Sequence, residues 1–227
     1  MTGLGTALNM GAVIAGTVVG VGLGQRLPVR VRETVTDGLG LLTIIMGLRM
    51  AMETTQFLVV LGSILLGGLI GEALDIERRL EHVGDRLQAR LSAGSSTFST
   101  GFVTASLVFC VGPMAVLGSI EDGLRGTVEI LSVKSILDGF ASLAFASTLG
   151  WGVGFSALSL LVYQGALTLG AGFFDRVLTD AMIAEMTAVG GLLVLSIGLR
   201  LLEVREIRTG NFLPALVLAP VLVALAG

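Results

Sequence analysis

Lys134 and Asp138 are the residues in this sequence whose types and spacing point most sharply to chemistry. A spacing of four puts the ammonium and the carboxylate on one face of a helix. Asp138 then precedes about 36 residues with no charge, so the pair borders a long apolar stretch. A charge at bilayer depth costs on the order of 3 kcal/mol on insertion scales, so it is expected to face a bundle interior, paired or in a wet cavity. The pair reads as a structural ion pair, as a coupling-ion or substrate site, or as a helix start lying at shallower depth.

Upstream lies the run CVGPMAVLGSIEDGLRGTVE, from Cys110 to Glu129. Gly112-Pro113 falls near the middle of an apolar span. Proline removes a backbone donor and displaces the carbonyl four residues earlier, here near Phe109. Such a carbonyl in a membrane needs a partner or an ion, and discontinuous helices of this kind line binding sites in transporters. A proline kink packed against neighbouring helices is the simpler alternative. Ser119, Glu121 and Asp122 follow, the two carboxylates flanked by Gly118 and Gly123. Adjacent carboxylates at a helix end bind a cation or exchange a proton; they equally suit a solvated loop. Asn9, inside the first apolar stretch, completes the candidate site. Ser135, Ser142, Ser147, Thr148, Gln164 and Thr168 fit a lined pathway more weakly, because most such hydroxyls bond their own helix backbone.

Other chemistries find no support. Cys110 is the single cysteine and His82 the single histidine, so neither a disulfide framework nor a zinc site is expected. No Ser/His/Asp, Cys/His or HExxH arrangement is present, and the chain reads as a non-enzyme without cofactor or metal. The GVGLG run ending at Gly24 lacks the preceding strand and the lysine of a nucleotide loop. With a net charge of −3 and scattered basic residues, nucleic acid is not an expected partner.

The elements that must position these residues are membrane helices. The 227 residues are 53% hydrophobic and 14% charged, with a mean hydropathy of +0.92. A soluble domain carries roughly 25% charged residues. Apolar stretches near the length of a bilayer-spanning helix recur throughout, and backbone groups in lipid must be satisfied within a helix. The expected fold is an all-α polytopic transmembrane bundle of about seven or eight spans. These fall at about 4–24, 38–52, 57–74, 101–120, two within 130–174, then 186–202 and 211–226. The sixth span is expected to begin after a tight turn near Trp151-Gly152. The first reads as a retained span rather than a cleaved signal. Between the third and fourth, Ile76, Leu80, Val83, Leu87 and Leu91 form one apolar stripe, which predicts an amphipathic segment over 76–99.

Arginines set the orientation. With the N-terminus outside, ten basic residues lie on the inner side and four (Arg49, Arg125, Lys134, Arg176) on the outer, which predicts both termini outside. The second and seventh spans also resemble each other. Thr36–Arg49 overlays Thr187–Arg200, with Thr36/Thr187, Gly40/Gly191, Leu41/Leu192, Leu42/Leu193, Gly47/Gly198, Leu48/Leu199 and Arg49/Arg200 matching. The next spans begin alike, at Gln56-Phe57-Leu58 and Asn211-Phe212-Leu213. The two copies would cross in opposite directions, an inverted repeat within a single membrane domain: repeat one over 4–75, a central broken-helix region over 100–150, and repeat two over 152–227. Both members read as short and glycine-interrupted, a pointer to a substrate pathway. Gly16, Gly20 and Gly24, with Gly67 and Gly71, allow close helix contact and would suit a homodimer.

These motifs resemble the YqgA-like (YdfK-like) bacterial inner-membrane family, the family of domain of unknown function 554. The resemblance rests on GTALN from Gly5, CVGPMAVLGSIEDGL from Cys110 and KSILDGFAS from Lys134, followed by FASTLGWGVGFS. It spans essentially the whole chain and implies a bacterial inner-membrane protein for which transport is the usual presumption. A short similarity of SILDGFAS to segments of small manganese-exporter-type proteins adds a cation as one candidate cargo. The sequence therefore predicts a secondary transporter or permease for a small ion or solute, with a midplane site drawn from Asn9, Pro113, Ser119, Glu121, Asp122, Lys134 and Asp138. An ion channel and a non-transporting membrane scaffold are the alternatives. Asp138 is the expected coupling carboxylate, so Asp138→Asn should abolish transport and spare folding and insertion.

Overall fold

The computed structural model describes residues 2–80, 82, 86 and 97–226. The described residues form helices and no strands: α1 Leu4–Gly24, α2 Val29–Ala51, α3 Phe57–Leu74, α4 Phe98–Cys110, α5 Pro113–Arg125, α6 Glu129–Leu149, α7 Gly152–Leu169, α8 Ala171–Val177, α9 Asp180–Leu201, a 3-10 turn Thr209–Phe212 and α10 Leu213–Ala226. Among the described residues seven segments are long and apolar enough to cross a membrane, and the pair α4–α5, bent by 63°, makes an eighth when the two are taken as one broken span.

Spans one and three fall where the sequence puts them. The second and seventh are not short. α2 starts at Val29, directly after Pro28, and runs 23 residues through Arg30, Arg32 and Glu33. α9 starts at Asp180 because Thr179 caps it, its hydroxyl accepting from the amide of Met182, and runs 22 residues. Charged side chains mask these first turns in hydropathy without preventing helix. Pro113 is not in mid-helix either. The fourth span breaks at Val111-Gly112 and Pro113 is the first residue of α5, where its missing N–H costs nothing. Glu121 and Asp122 therefore lie inside α5 and not in a loop. Gly150, at φ 76°, closes the turn before Trp151. In the amphipathic segment, Ile76 and Leu80 are helical, whereas Val83, Leu87 and Leu91 lie outside the described residues.

The helices group into two units, each drawing on both halves of the chain. The first holds α1, the first turns of α2, α4, α5 beyond Pro113, α6, α7 and α8. Here α1 and α6 run parallel in close contact. A Cβ on Gly16 would strike the Gly139 carbonyl, one on Gly20 that of Leu143 and one on Gly24 that of Ser147. The GxxxGxxxG stripe is thus the contact surface with α6, and no homodimer is needed to explain it. α7 runs antiparallel to α1, with Asn9 near Gln164 and Thr17 against Gly154. α4 lies parallel to α7 through Phe98–Phe155 and Ser106–Ser159.

The second unit holds the rest of α2, α3, residues 111–113, α9, the 3-10 turn and α10. α2 and α9 cross antiparallel on reciprocal glycines. A Cβ on Gly47 would lie 2.6 Å from the Gly191 carbonyl, and one on Gly191 would lie 2.6 Å from the Gly47 carbonyl. Gly40 and Gly198 pair likewise, at 3.3 and 2.9 Å. Gly40 matches Gly191 and Gly47 matches Gly198 in sequence, so exchanging the two segments turns one of these glycine contacts into the other. α3 and α10 also pack antiparallel, Gly67 on Ala215 and Gly71 on Asn211. Val60, Ala188, Val189, Leu193, Ala215 and Ala219 form the core. Leu41, Leu42, Ile45 and Met46 on α2 are each more than half exposed, as suits a surface whose solvent is lipid.

Candidate functional site

Four helices of the first unit carry inward-facing polar groups. Asp138 sits at the middle of the 21-residue α6, and its side chain points back toward the helix N-terminus. Lys134, one turn earlier, reaches it, and the Nζ of Lys134 donates to Oδ2 of Asp138. The pair is almost wholly withdrawn from solvent, at 5% and 8% exposure. From α1, Asn9 donates its Nδ2 to the same Oδ2 at 3.0 Å and to Oε1 of Gln164 on α7 at 3.5 Å. Asn9 and Gln164 are both fully buried.

This cluster is incompletely satisfied. Oδ1 of Asn9, Nε2 of Gln164 and the hydroxyls of Thr6, Ser119 and Thr168 are buried with no hydrogen-bond partner. Exchanging amide oxygen and nitrogen does not cure it. Turning Asn9 would point oxygen at the carboxylate, and turning Gln164 alone would point nitrogen at nitrogen. Native interiors leave few polar groups unpaired, and each such group calls for a water, an ion or a function. Five on three adjoining helices is a concentration that packing alone does not explain.

Asp122, fully buried on α5, does different work. Its Oδ2 accepts from the amides of Gly3 at 3.2 Å and Gly5 at 3.1 Å, and its Oδ1 accepts from Gly3 at 3.3 Å. A carboxylate there satisfies orphan N–H groups of the α1 start and lies at the positive end of its dipole. No side chain of α1 supplies that cap, so Asp122 substitutes for it across 119 residues. Glu121 instead faces outward and pairs with exposed Arg125 at 3.7 Å. Of the sequence candidates, Asn9, Lys134 and Asp138 thus meet directly. Ser119 and Asp122 are buried on α5 of the same unit, Glu121 stands apart, and Pro113 opens α5 and groups with the second unit. The weaker candidates divide too. Ser135, Ser142, Ser147 and Thr148 bond carbonyls of their own helix, whereas Gln164 and Thr168 belong with the unsatisfied cluster. Thr6 went unnoticed; its position three residues before Asn9, on the same helix face, was the available signal.

Two further buried carboxylates, in the second unit, were missed by sequence reasoning. Glu185 on α9, fully buried, accepts from the amides of Thr55 at 2.8 Å and Gln56 at 3.0 Å and from the Thr54 hydroxyl at 2.5 Å, capping α3. Glu77 accepts from the Gly210 amide at 2.5 Å and from Arg200 at 3.3 Å, where the chain enters the 3-10 turn and α10. Each holds the start of a helix that a neighbouring carboxylate must cap. Only the fold brings these groups together.

Over residues 4–224 the chain matches the family described as Protein of unknown function (DUF554). It is 30% identical over 226 residues to the Uncharacterized membrane protein YdfK of Bacillus subtilis (strain 168), covering 96% of this chain and 95% of that protein. It is 33% identical over 221 residues to the Uncharacterized protein YqgA of Escherichia coli (strain K12), covering 95% and 94%. No solved structure matches it.

Proposed function

The chain belongs to the DUF554 family, and on that premise we propose that it is a secondary transporter, a permease for a small ion or solute, with Asp138 as its central site residue. The observation that carries this reading is the fully buried Asn9, which bonds Asp138 and Gln164 and still has an acceptor to spare. A buried ion pair with unfilled polar valences is costly as architecture and serviceable as a binding site. Two features support transport over a scaffold. The break at Val111-Gly112 gives the discontinuous span common in transporters, and the reciprocal α2–α9 crossing fits an inverted repeat, a frequent architecture among them. The site acts by binding and not by covalent chemistry, in the inner membrane of a bacterium, with both termini outside.

The test is isotope counterflow in proteoliposomes, surveyed over inorganic ions, amino acids and organic acids. We expect saturable exchange of one class above protein-free vesicles, and its loss in the double variant Lys134→Met, Asp138→Asn. Flux that follows voltage without saturation would replace the transporter by a channel. No exchange for any class would leave a scaffold.

A further inference from the structure

We propose that a charged cavity at the ends of α3 and α9 binds the headgroup of a zwitterionic phospholipid that bears a primary ammonium. Its phosphate lies on Arg200 and Arg208 and its ammonium on Glu206. The cavity belongs to the second unit and the Asn9–Asp138 cluster to the first, so lipid binding there does not depend on transport.

The cavity, of about 830 Å³, opens between the last turn of α3, the residues that follow it, the last turn of α9 and the chain leading into the 3-10 turn. Pockets for small organic groups run from about 300 to 1,000 Å³. Buried Asn211 builds the frame. Its Nδ2 donates to Oε2 of Glu72 at 2.6 Å, and its Oδ1 accepts from the amide of Glu77 at 2.7 Å. Glu77, 7% exposed, accepts in turn from the amide of Gly210 and from Arg200. A Cβ on Gly210 would lie 2.5 Å from Oε2 of Glu77, so the close approach requires glycine. Glu72 and Glu77 are thereby committed, and they hold Arg208 and Arg200 in the wall.

Charge selects the ligand. Among the described residues the wall carries four carboxylates and three guanidiniums. A simple anion would meet the carboxylates and a metal ion the guanidiniums, and no group of three or more His, Cys, Asp and Glu among these residues could hold a metal. A headgroup with one charge of each sign suits both. Arg200 gives one N–H to Glu77 and Arg208 one to Glu72. Each guanidinium has five such donors, so both retain donors for phosphate oxygens. Exposed Glu206 lines the same cavity without an ion-pair partner among the described residues, and it takes the ammonium. A trimethylated ammonium has the charge but no N–H to donate, which selects the primary amine.

The position of the cavity favours a lipid over a soluble zwitterion. α3 and α9 are both long and apolar enough to cross a membrane, and the cavity lies at their ends, the depth of the headgroups. Leu69 and Leu65 stand one and two turns from Glu72 on the same face of α3, 69% and 58% exposed. This apolar stripe ends at the cavity and gives the acyl chains a surface continuous with the headgroup site.

Purified full-length protein in a neutral detergent tests this, titrated with dioleoyl phospholipids of ethanolamine, choline or glycerol headgroup and, separately, with free phosphoethanolamine. Melting temperature and retained lipid, counted by native mass spectrometry, are read together. We expect a saturable rise in melting temperature with the ethanolamine lipid, and an affinity about tenfold above the choline and glycerol lipids, as one charge-assisted hydrogen bond implies. Glu206→Gln should melt like wild type without lipid and bind ethanolamine and choline lipids equally. Arg208→Gln should weaken both of these lipids alike, by about tenfold. Wild-type protein that does not prefer ethanolamine to choline, or a preference that survives in Glu206→Gln, overturns the proposal. Free phosphoethanolamine that reproduces the full rise at the same affinity overturns the lipid as occupant and makes the ligand a soluble zwitterion.

Discussion

Asn9 and Asp138, 129 residues apart in sequence, share a hydrogen bond of 3.0 Å inside a bundle of apolar helices. A second donor, Lys134, converges on the same carboxylate oxygen. Two donors thus meet on one oxygen, and the amide oxygen of Asn9 is left over.

Breaking a buried pair by removing one partner costs about 3–5 kcal/mol, because the other charge is stranded. Asp138→Asn alone is therefore expected to insert but to destabilise the protein by about 3–5 kcal/mol, where the sequence alone predicts that folding is spared, because the structure buries the Lys134 partner that it strands. The double variant Lys134→Met, Asp138→Asn should recover to within about 1 kcal/mol of wild type. Thermal unfolding in detergent checks both, and equal losses in the single and double variants would count against the pair.

Glycines on one helix should differ sharply in tolerance. Gly20→Ala drives a methyl into the Leu143 carbonyl on α6, whereas Gly22→Ala meets nothing within 4 Å. We expect Gly20→Ala to cost about 1–3 kcal/mol as overpacking against backbone, and Gly22→Ala to be neutral or stabilising by up to about 1 kcal/mol. Comparing the two melting temperatures checks the parallel α1–α6 contact.

Reciprocity makes a quantitative demand on α2 and α9. The Cβ atoms of Gly47→Ala and Gly191→Ala would stand equally far, 2.6 Å, from each other's carbonyls. The two single variants should lose stability by similar amounts, about 1–3 kcal/mol each, and because they touch one another the double variant should depart from the sum. A double-mutant cycle on unfolding free energy reads this directly.

Glu185→Ala should cost about 2–3 kcal/mol, since it leaves the amides of Thr55 and Gln56 and the hydroxyl of Thr54 without their acceptor. Hydrogen exchange at the start of α3 should rise with it. Unchanged protection at Thr55 and Gln56 would show that another group caps that helix.

Much of this was legible in the sequence, for identifiable reasons. Spans such as α1 and α3 are bounded by polar residues where the helix itself ends, so hydropathy and helix coincide. At α2 and α9 they do not: Arg30, Arg32, Glu33 and Asp180 are polar and helical, and composition cannot separate a charged first turn from a loop. Lys134 and Asp138 could be paired because a spacing of four is local geometry. Asn9 could be suspected as an amide in an apolar run. That Asn9 reaches Asp138 through the parallel seating of α1 on α6, or that Asp122 caps α1 while its neighbour Glu121 faces out, depends on tertiary contacts that no local pattern encodes. Glu185 and Glu77 were hidden for the same reason, each looking like an ordinary charge at a span end.

The most direct test of the central claim is counterflow through reconstituted protein, comparing wild type with Lys134→Met, Asp138→Asn at equal reconstituted amounts. The account predicts saturable exchange in the wild type and none above protein-free vesicles in a double variant that remains folded. Undiminished exchange in that variant would contradict it, because the carboxylate at the middle of α6 would then have no part in moving cargo.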